Sequence, residues 1–487
     1  MGKEQVLLEV NRTYTKISPY NEDNRDENLE KSLGYYDKDA WKYRYDGLYY
    51  NKEKEELRIP RSVSISKLET LFSTKATVYK DCDEYDRALI RLNYLPRDDK
   101  QREAIAFLLS KKDHSNIEKY PRRMLELDTG VGKTYCTIAA ISYMGVKGAI
   151  LLNSKRLINQ WEEKIQEYTN LNSLELFKVV GADSIKKILN EKTKKVKIYL
   201  VSHETLSAYA KREGWEAVGE LFTKMRVGVK VYDEAHLSFK SMMKIDLMTN
   251  IKDTFYLTAT AKRSDHLENN LYKKIFGPVP ILSIKRKKNE TYLKSMVLNY
   301  NSQPSLKDIG LVKNTHGTSM PKYMEYCYYG GGHAMYMKCI TTILNTLESK
   351  SGKIAILVGI KKLAKDLKDE LEKLYPDLKG EIGIFTSDIE TKKKDLQLKK
   401  RLIISTFKSF GTGIDLNGQL RAVIMTEAYS SSVILHQCAG RLRQLDDGEV
   451  YYFELVDSGF APRVKQFKKI KNDLLKISDK VTAFQIR

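Results

Sequence analysis

Long apolar runs are missing from this chain. No stretch approaches the length of a membrane span, which argues against a helical transmembrane protein. The first residues, MGKEQVLLEV, lack the basic region and apolar core of a secretory signal. Met1-Gly2 runs into Lys3-Glu4-Gln5-Val6, without the Ser or Thr that a myristoylation signal carries. Cysteine is scarce. Cys82, Cys136, Cys327, Cys339 and Cys438 are scattered, odd in number and never spaced as CxxC. That pattern argues against structural zinc or a disulfide framework and fits a reducing cytoplasm, bacterial if the source is a phage. Cys136 and Cys438 read as small buried hydrophobes. Acidic residues are in deficit: 84 Lys and Arg face 63 Asp and Glu, a net charge of +21. Such an excess predicts a polyanionic partner, nucleic acid before an acidic membrane. Lysine-rich clusters at 285–288, 392–401 and 463–476 each read singly as a solvated face. Their sum makes a strong, salt-dependent field. The 487 residues, 42% hydrophobic, suffice for two or three globular domains with their own cores.

What is present is sharper. Residues 124–134 read MLELDTGVGKT, an apolar run ending in a glycine-rich turn and Gly132-Lys133-Thr134. Backbone N–H groups around Thr129, Gly130, Val131 and Gly132 can wrap phosphates, and Lys133 can reach the β and γ phosphates. Thr134 can place its hydroxyl on Mg²⁺. The turn departs from the full P-loop pattern, since Leu127 stands where a first glycine is expected. Residues 230–236 read KVYDEAH, a short β-branched and aromatic strand ending in two carboxylates. Asp233 can hold the Mg²⁺ shell, and Glu234 can orient or deprotonate an attacking water. Either segment alone is a weak signal. Together, each behind an apolar strand, they predict hydrolysis of a nucleoside triphosphate.

The texture of the chain sets the domains. Residues 1–90 predict a small β-containing accessory domain whose Tyr and Arg could stack on or clamp DNA, although Tyr in a small sheet reads first as core. Its Asp46-Gly47 turn sits between aromatic runs as in a hairpin, and Leu57–Val63 reads as an edge strand interrupted by Pro60. Residues 91–280 alternate strand and helix, with strands at Gly148–Leu152, Val196–Ser202, Val227–Tyr232 and Thr254–Leu257. That alternation predicts a parallel sheet covered on both faces. Residues 281–340 weaken into a linker or insertion holding Tyr328-Tyr329-Gly330-Gly331-Gly332-His333, which reads first as a flexible connection and second as a hinge or nucleic-acid contact. Residues 341–487 form a second alternating block ending in a helical tail. Its strands fall at Lys353–Val358, Glu381–Phe385, Arg401–Ser405, Ala422–Thr426 and Glu449–Glu454.

The second block has no phosphate-binding turn but carries Ser405–Asp415 behind one strand and His436–Gln444 on a later helix. Gly411 and Gly413 let backbone approach a ligand, and Asp415 can meet a ribose or the arginine helix. Arg441 can serve as an arginine finger, a group worth ~10³–10⁵ in turnover. In isolation it reads as a surface salt bridge.

At this point the residues resemble a family. Asp128–Thr134, Asp233–His236, Thr258-Ala259-Thr260, Gly411–Asp415 and Gln437–Arg443 resemble motifs I, II, III, V and VI of superfamily 2 helicases, in matching order and spacing. Gln101 resembles the adenine-reading glutamine, Asn153–Trp161 motif Ia, and Ser202–Leu206 motif Ib. The resemblance spans about residues 92–460 and implies an α/β fold of two tandem RecA-like parallel-sheet domains behind the small N-terminal domain, with ATP and Mg²⁺ in the cleft between them. It adds Gln437 and Arg441 to the catalytic set, and Gly413, Asp415 and Arg443 to the nucleotide contacts. It implies that a single strand is gripped by its phosphates near Asn153, Ser154, Lys155, Arg156, Ser202, His203, Thr406 and Lys408. Two departures stand out. Gln444 replaces the usual second motif VI arginine, with Arg443 one position earlier, and the interval from Gln101 to Lys133 is long.

Within the superfamily, Leu157–Trp161, the Phe276-Gly277-Pro278 ending and the small N-terminal module resemble DNA helicases. The group is that of phage branch-migration helicases and the excision-repair helicase. The expectation is an ATP-dependent DNA helicase or translocase acting on forked or branched DNA in replication, recombination or repair, monomeric and of phage or viral origin. The alternative is a transcript-release ATPase of the poxvirus type, needing RNA and an RNA polymerase as partners. A restriction-type translocase subunit is a further alternative, set back by the lack of a nuclease segment among these residues, and a non-enzymatic basic scaffold conflicts with the intact Lys133, Asp233, Glu234 and Arg441.

Overall fold

The computed structural model describes residues 5–37, 41–109, 122–127, 131–235, 237–258, 266–284, 292–314, 317–411, 416, 418–427, 431–445 and 448–487. Side chains of 266–268, 314, 317, 391–392, 408 and 432–433 also fall outside the description. The chain forms two units, Met1–Lys285 and Arg286–Arg487.

The first unit opens with short strands β1 (Leu7–Val10), β2 (Tyr14–Ser18), β3 (Tyr35–Asp37), β4 (Lys42–Arg44), β5 (Tyr49–Asn51), β6 (Glu56–Pro60) and β7 (Thr77–Tyr79). Five of them make one sheet in the order β5-β6-β2-β1-β7, while β3 and β4 pair separately. Alternation along the strands turns Leu8, Ile17, Leu57 and Ile59 inward onto Leu33, Leu48 and Leu68. Helices α1 (Glu27–Ser32) and α2 (Ile65–Leu71) join the strands. The Asp46-Gly47 hairpin does not form: β4 pairs with β3, and β5 pairs with β6. Gly47 is instead a crossing point. Its N–H donates to the Leu33 carbonyl, and a Cβ there would lie 2.5 Å from that oxygen. Nor is Leu57–Val63 an edge strand, because β6 lies between β5 and β2. Pro60 closes the strand at its last residue, where the missing N–H costs least.

A parallel sheet follows: β8 (Arg122–Leu127), β9 (Gly148–Leu152), β10 (Leu176–Val179), β11 (Ile198–Ser202), β12 (Val229–Tyr232), β13 (Asp253–Thr258) and β14 (Ile281–Ile284). Their order is β10-β11-β9-β12-β13-β8-β14. Helices α3 (Asp99–Leu109), α4 (Lys133–Met144), α5 (Lys155–Tyr168), α6 (Ala182–Leu189), α7 (His203–Glu213), α8 (Trp215–Met225), α9 (Phe239–Met248) and α10 (His266–Phe276) accompany the strands. Central strands are buried on both faces, which explains runs such as Gly148–Leu152 with no exposed position. One face packs on α6, α8 and α9, the other on α3, α4 and α5.

The second unit repeats the plan and corrects the reading of 281–340. β14 is the edge of the first sheet, and β15 (Leu293–Tyr300) is the strand next to an edge of the second. The two-residue strands β16 (Lys313–Asn314) and β17 (Gly317–Thr318) pair with each other. The other strands are β18 (Lys353–Val358), β19 (Ile382–Phe385), β20 (Leu402–Thr406), β21 (Leu420–Met425), β22 (Val450–Asp457) and β23 (Lys480–Gln485). The parallel order is β19-β20-β18-β21-β22-β15-β23. The helices are α11 (Leu306–Leu311), α12 (Met320–Tyr329), α13 (His333–Thr346), α14 (Lys361–Leu374), α15 (Thr391–Leu398), α16 (Phe407–Gly411), α17 (Ser432–Ala439) and α18 (Ala461–Ile477). The tail is not purely helical, since β23 pairs with β15 after α18.

The glycine run between α12 and α13 is a tight turn rather than a loose connection. A Cβ at Gly332 would meet the Tyr326 ring at 2.9 Å, so only glycine lets the backbone fold over that ring. His333 then bridges the Tyr328 carbonyl and Glu370 at 2.6 and 3.0 Å. Among the described residues, no helix is long and apolar enough to cross a membrane.

Candidate active site

The P-loop lysine opens α4 directly behind β8. Gly132 precedes it with φ of +107°, a left-handed conformation that favours glycine. Lys133 Nζ is buried, has no hydrogen-bond partner among the described residues, and sits 3.7 Å from Glu234 Oε1. Thr134 and Val131 flank it; Val131 is buried and Thr134 half-buried. Thr129 and Gly130 lie outside the described residues, as do Gly413 and Asp415.

Gln101 stands against this turn despite the long interval. Its Nε2 donates to the Val131 carbonyl at 3.1 Å, and its Oε1 accepts from the Arg97 N–H at 2.8 Å. A Cβ at Gly132 would lie 2.4 Å from that Nε2. Of the insertion expected at Lys111–Arg123, residues 111–121 lie outside the described residues, and Arg122 and Arg123 open β8.

Asp233 follows β12 at the carboxyl end of the sheet, where ligands bind in open α/β folds. It is buried, and burial followed by the Glu234 carboxylate pushes its pKa above the ordinary aspartate range, against Lys133 and Trp161. Trp161 of α5 donates its indole N–H to Asp233 Oδ2 at 2.8 Å. The Glu234 N–H donates to the other oxygen at 3.0 Å. Glu234 itself has φ of +49°, a strained setting for a residue with a side chain. The loop is pinned on both sides: the Asp233 N–H donates to the Leu151 carbonyl, and the Ala235 N–H to the Leu257 carbonyl. Thr258 ends the adjacent strand, fully buried; His236, Ala259 and Thr260 lie outside the described residues.

These residues fit a magnesium nucleotide. A buried ammonium with no hydrogen-bond partner among the described residues suits phosphate oxygens, and a buried carboxylate above its ordinary range suits a divalent cation that would keep it ionised. Thr134 and Asp233 would hold the cation.

A second feature lies at the same end of the sheet. Ser154 caps α5 by accepting from the Leu157 N–H, and Ser202 caps α7 by accepting from the Thr205 N–H. Gly181, with φ of +78°, precedes α6 and donates its N–H to Thr205 Oγ1 at 3.1 Å. The three helix starts border a cavity of about 260 Å³ lined by Lys155, Gly181, Ser202, Thr205 and Arg212, among others. Helix starts with a Lys and an Arg favour anions, against the Glu204 carboxylate in the same lining. Sequence reading missed Gly181; a glycine between an apolar strand and Ala182-Asp183-Ser184 was the available signal.

Two expected strand contacts are otherwise engaged. Asn153 accepts a hydrogen bond from Ser238, just past the carboxylates. The His203 side chain is buried, stacks on Tyr232 at 5.9 Å, and is held by burial at a pKa of about 4. Its ring is therefore turned into the core, with Nδ1 3.2 Å from the Ser241 hydroxyl. Lys155 is exposed and Arg156 half-buried.

In the second unit, Thr406 caps α16 by accepting from the Ser409 N–H. Arg441 Nη2 donates to the Gly411 carbonyl at 2.6 Å, joining the expected motif V and VI segments. Gln437 lies beside Gly411, and a Cβ there would sit 3.1 Å from its Oε1. Arg443 is exposed, and the Lys408 side chain lies outside the description. Arg463, counted in a basic surface cluster, is a core residue with its guanidinium 3.9 Å over the Tyr323 ring. Cys136 and Cys438 are buried, and burial pushes both thiols up to about 12, as core residues require.

Residues 95–263 match the family model described as the type III restriction enzyme, res subunit. A protein of Haloarcula marismortui, provisionally named DNA 3′-5′ helicase Rad25, is 24% identical over 237 residues. The match covers 47% of this chain and 34% of that relative, so the chain spans about a third of the relative's length. In fold, S. cerevisiae Dbp5 bound to RNA and ADP BeF3 aligns over 79% of this chain and 89% of its own, with a TM-score of 0.53 and 15% identity. Mss116p bound to ssRNA and AMP-PNP aligns over 80% of this chain and 74% of its own, with a TM-score of 0.53 and 17% identity. T4 UvsW spans 98% of this chain and 99% of its own at 13% identity, but its TM-score of 0.37 is too low to support a likeness. The helicase family generally uses ATP with Mg²⁺. With two parallel sheets of RecA-like form and motifs in the helicase order, this chain resembles the superfamily 2 helicases.

Proposed function

We propose that the chain is an ATP-dependent DNA helicase or translocase that remodels forked or branched DNA. The observation that carries the hydrolase reading is the triangle of Lys133, buried Asp233 and half-buried Glu234, with Trp161 holding the first carboxylate. The DNA assignment draws support from the restriction-subunit match and from the relative named a DNA helicase. In the proposed reaction Lys133 neutralises charge on the transferring phosphoryl group. Glu234, held by its left-handed backbone, orients the attacking water and takes its proton. When bound by Asp233 and Thr134, Mg²⁺ supplies charge for the β and γ oxygens. Gln101 reads the base edge beside the P-loop, and Arg441 with Gln437 of the second unit stabilises the charge that develops. The helix starts at Ser154, Gly181 and Ser202 grip backbone phosphates, a mode that favours no base sequence.

The test is steady-state ATPase activity without nucleic acid and with single-stranded DNA, forked DNA, a four-way junction or RNA. Stimulation greatest with fork or junction, falling steeply with salt as the +21 charge requires, is the expected result. Stimulation by RNA alone would overturn the DNA assignment. No hydrolysis under any condition would overturn the enzyme.

A further inference from the structure

A buried polar hub lies between the N-terminal sheet and the parallel sheet of the first unit. Its centre is Asp246 of α9, only 6% exposed. One carboxylate oxygen accepts from Lys230 Nζ and the Tyr232 hydroxyl, each at 2.7 Å. The other accepts from the Tyr256 hydroxyl at 2.5 Å. Lys230 and Tyr232 alternate on β12 and so share a face, and Tyr256 stands beside them on β13 with its ring stacked on Tyr232 at 5.5 Å. The hub thus ties α9 to the strand that Asp233 follows and to the strand that ends at Thr258.

The geometry gives that tie a consequence for Glu234. The loop from Asp233 to Ser238 is strung between β12 and α9, and Glu234 sits in it at φ of +49°. Such a backbone persists only where the surroundings over-determine it. Asp246 grips both ends: Tyr232 just before the loop, and α9 just after it. A shift of α9 against β12 must therefore move the carboxylate.

The N-terminal module holds the far end of α9. Thr13, in the turn between β1 and β2 and 1% exposed, turns its hydroxyl to the carbonyls of Asp246 and Thr249 at 2.7 and 2.6 Å. These carbonyls lie at a helix end, where intrahelical donors run out. The Arg12 N–H donates to Asn250 Oδ1 at 2.9 Å, and Asn250 Nδ2 donates to the Asp81 carbonyl at 2.5 Å. Tyr14 packs on Leu247 and Met248 with Tyr49 and Trp215. The contact is buried, polar and specific, unlike the surface of a loosely tethered DNA-binding module.

We infer that the N-terminal module is a positioning element of the ATPase site: Thr13 fixes the end of α9, and Asp246 transmits that position to the motif II loop. The inference rests on the ATPase reading above. It makes Thr13, Asp246 and Tyr256 positioning residues, which set the rate of hydrolysis rather than the affinity for nucleotide.

The test uses the full chain, since removing the module would bare Leu247 and Met248. Thr13→Ala, Thr13→Ser and Tyr256→Phe are compared with wild type for kcat and KM for ATP with saturating single-stranded DNA. Affinity for a non-hydrolysable ATP analogue and the melting temperature are measured alongside. Thr13→Ala lowers kcat about fivefold, the rate equivalent of one net hydrogen bond, with KM and analogue affinity within about twofold. Thr13→Ser restores it, and Tyr256→Phe repeats the kcat-only loss. A Thr13→Ala enzyme with wild-type kcat overturns the inference and leaves the ATPase reading intact. So does a loss shared by kcat and affinity that Thr13→Ser fails to rescue, which marks a merely structural contact. A wild-type chain without ATPase activity overturns both.

Discussion

Trp161→Phe probes the least expected contact in the site. The substitution keeps an aromatic ring in the buried face of α5 but removes the indole N–H that reaches Asp233 Oδ2 at 2.8 Å. Asp233 Oδ1 keeps its bond from the Glu234 N–H, so the carboxylate loses one of two described donors. A hydrogen bond to a charged group contributes ~1.5–3 kcal/mol, about 10- to 150-fold in an equilibrium or a rate. That contribution orients an outer support of the cation site, where loss of such a partner typically costs about 10–100-fold in metal affinity or activity. The assay is ATPase rate against Mg²⁺ concentration at fixed saturating ATP, with a thermal melt of each protein. The half-saturating Mg²⁺ rises about tenfold or more in the variant, while kcat at saturating Mg²⁺ falls less. The melt guards against a packing artefact, since Trp161 also belongs to the apolar layer on α4 and β9. Superimposable Mg²⁺ curves would refute the argument, and Trp161 would then be a core residue whose N–H merely finds an acceptor.

Glu234→Gln keeps ATP binding, measured by equilibrium titration, and stalls turnover; wild-type hydrolysis would remove Glu234 from the chemistry. Arg441→Ala lowers turnover by about 10³ with little change in ATP affinity, and a twofold loss would return Arg441 to its bond with the Gly411 carbonyl. Glu454 is buried, and burial, opposed by Tyr452 and Arg463 and aided by Glu427, raises its pKa to about 8. Between the ordinary glutamate range and pH 8 the unfolded chain has lost that proton while the folded chain keeps it, so stability falls as pH rises. Glu454→Gln removes this slope: its melting temperature gains on wild type from pH 5 to pH 8, and a constant difference would contradict the assignment.

The two parallel sheets were legible because a strand buried on both faces is written as an uninterrupted apolar run. Gly148–Leu152 and Lys353–Val358 begin and end where the sequence places them. The P-loop lysine and the carboxylate pair were legible because each follows such a run. Residues 281–340 were not. β15 reads Leu-Lys-Ser-Met-Val-Leu-Asn-Tyr, with polar positions that look like a solvated segment. Those positions are matched from far along the chain: Lys294 by Glu449 at 2.6 Å, and Ser295 by Ser478 at 2.7 Å. The pairing of β3 with β4 hid for a related reason, because Asp46-Gly47 is a good turn dipeptide used here for a backbone crossing. His203 misled because a motif position specifies the helix start and not where the side chain points.

The same distance in sequence explains why the supports of the carboxylate pair escaped notice while the pair itself did not. A left-handed Glu234 costs ~1–3 kcal/mol unless neighbours compel it. Its neighbours come from Trp161 on α5, the Leu257 carbonyl on β13, the Leu151 carbonyl on β9, and Asp246 on α9. Two elements that line or border the proposed phosphate cavity take part: α5 through Trp161, and α7 through His203 stacked on Tyr232. The N-terminal turn takes part through Thr13. Each support is a single polar or ring contact. On the ATPase reading proposed above, these contacts form a route within the first unit from the cavity and the N-terminal turn to the carboxylate.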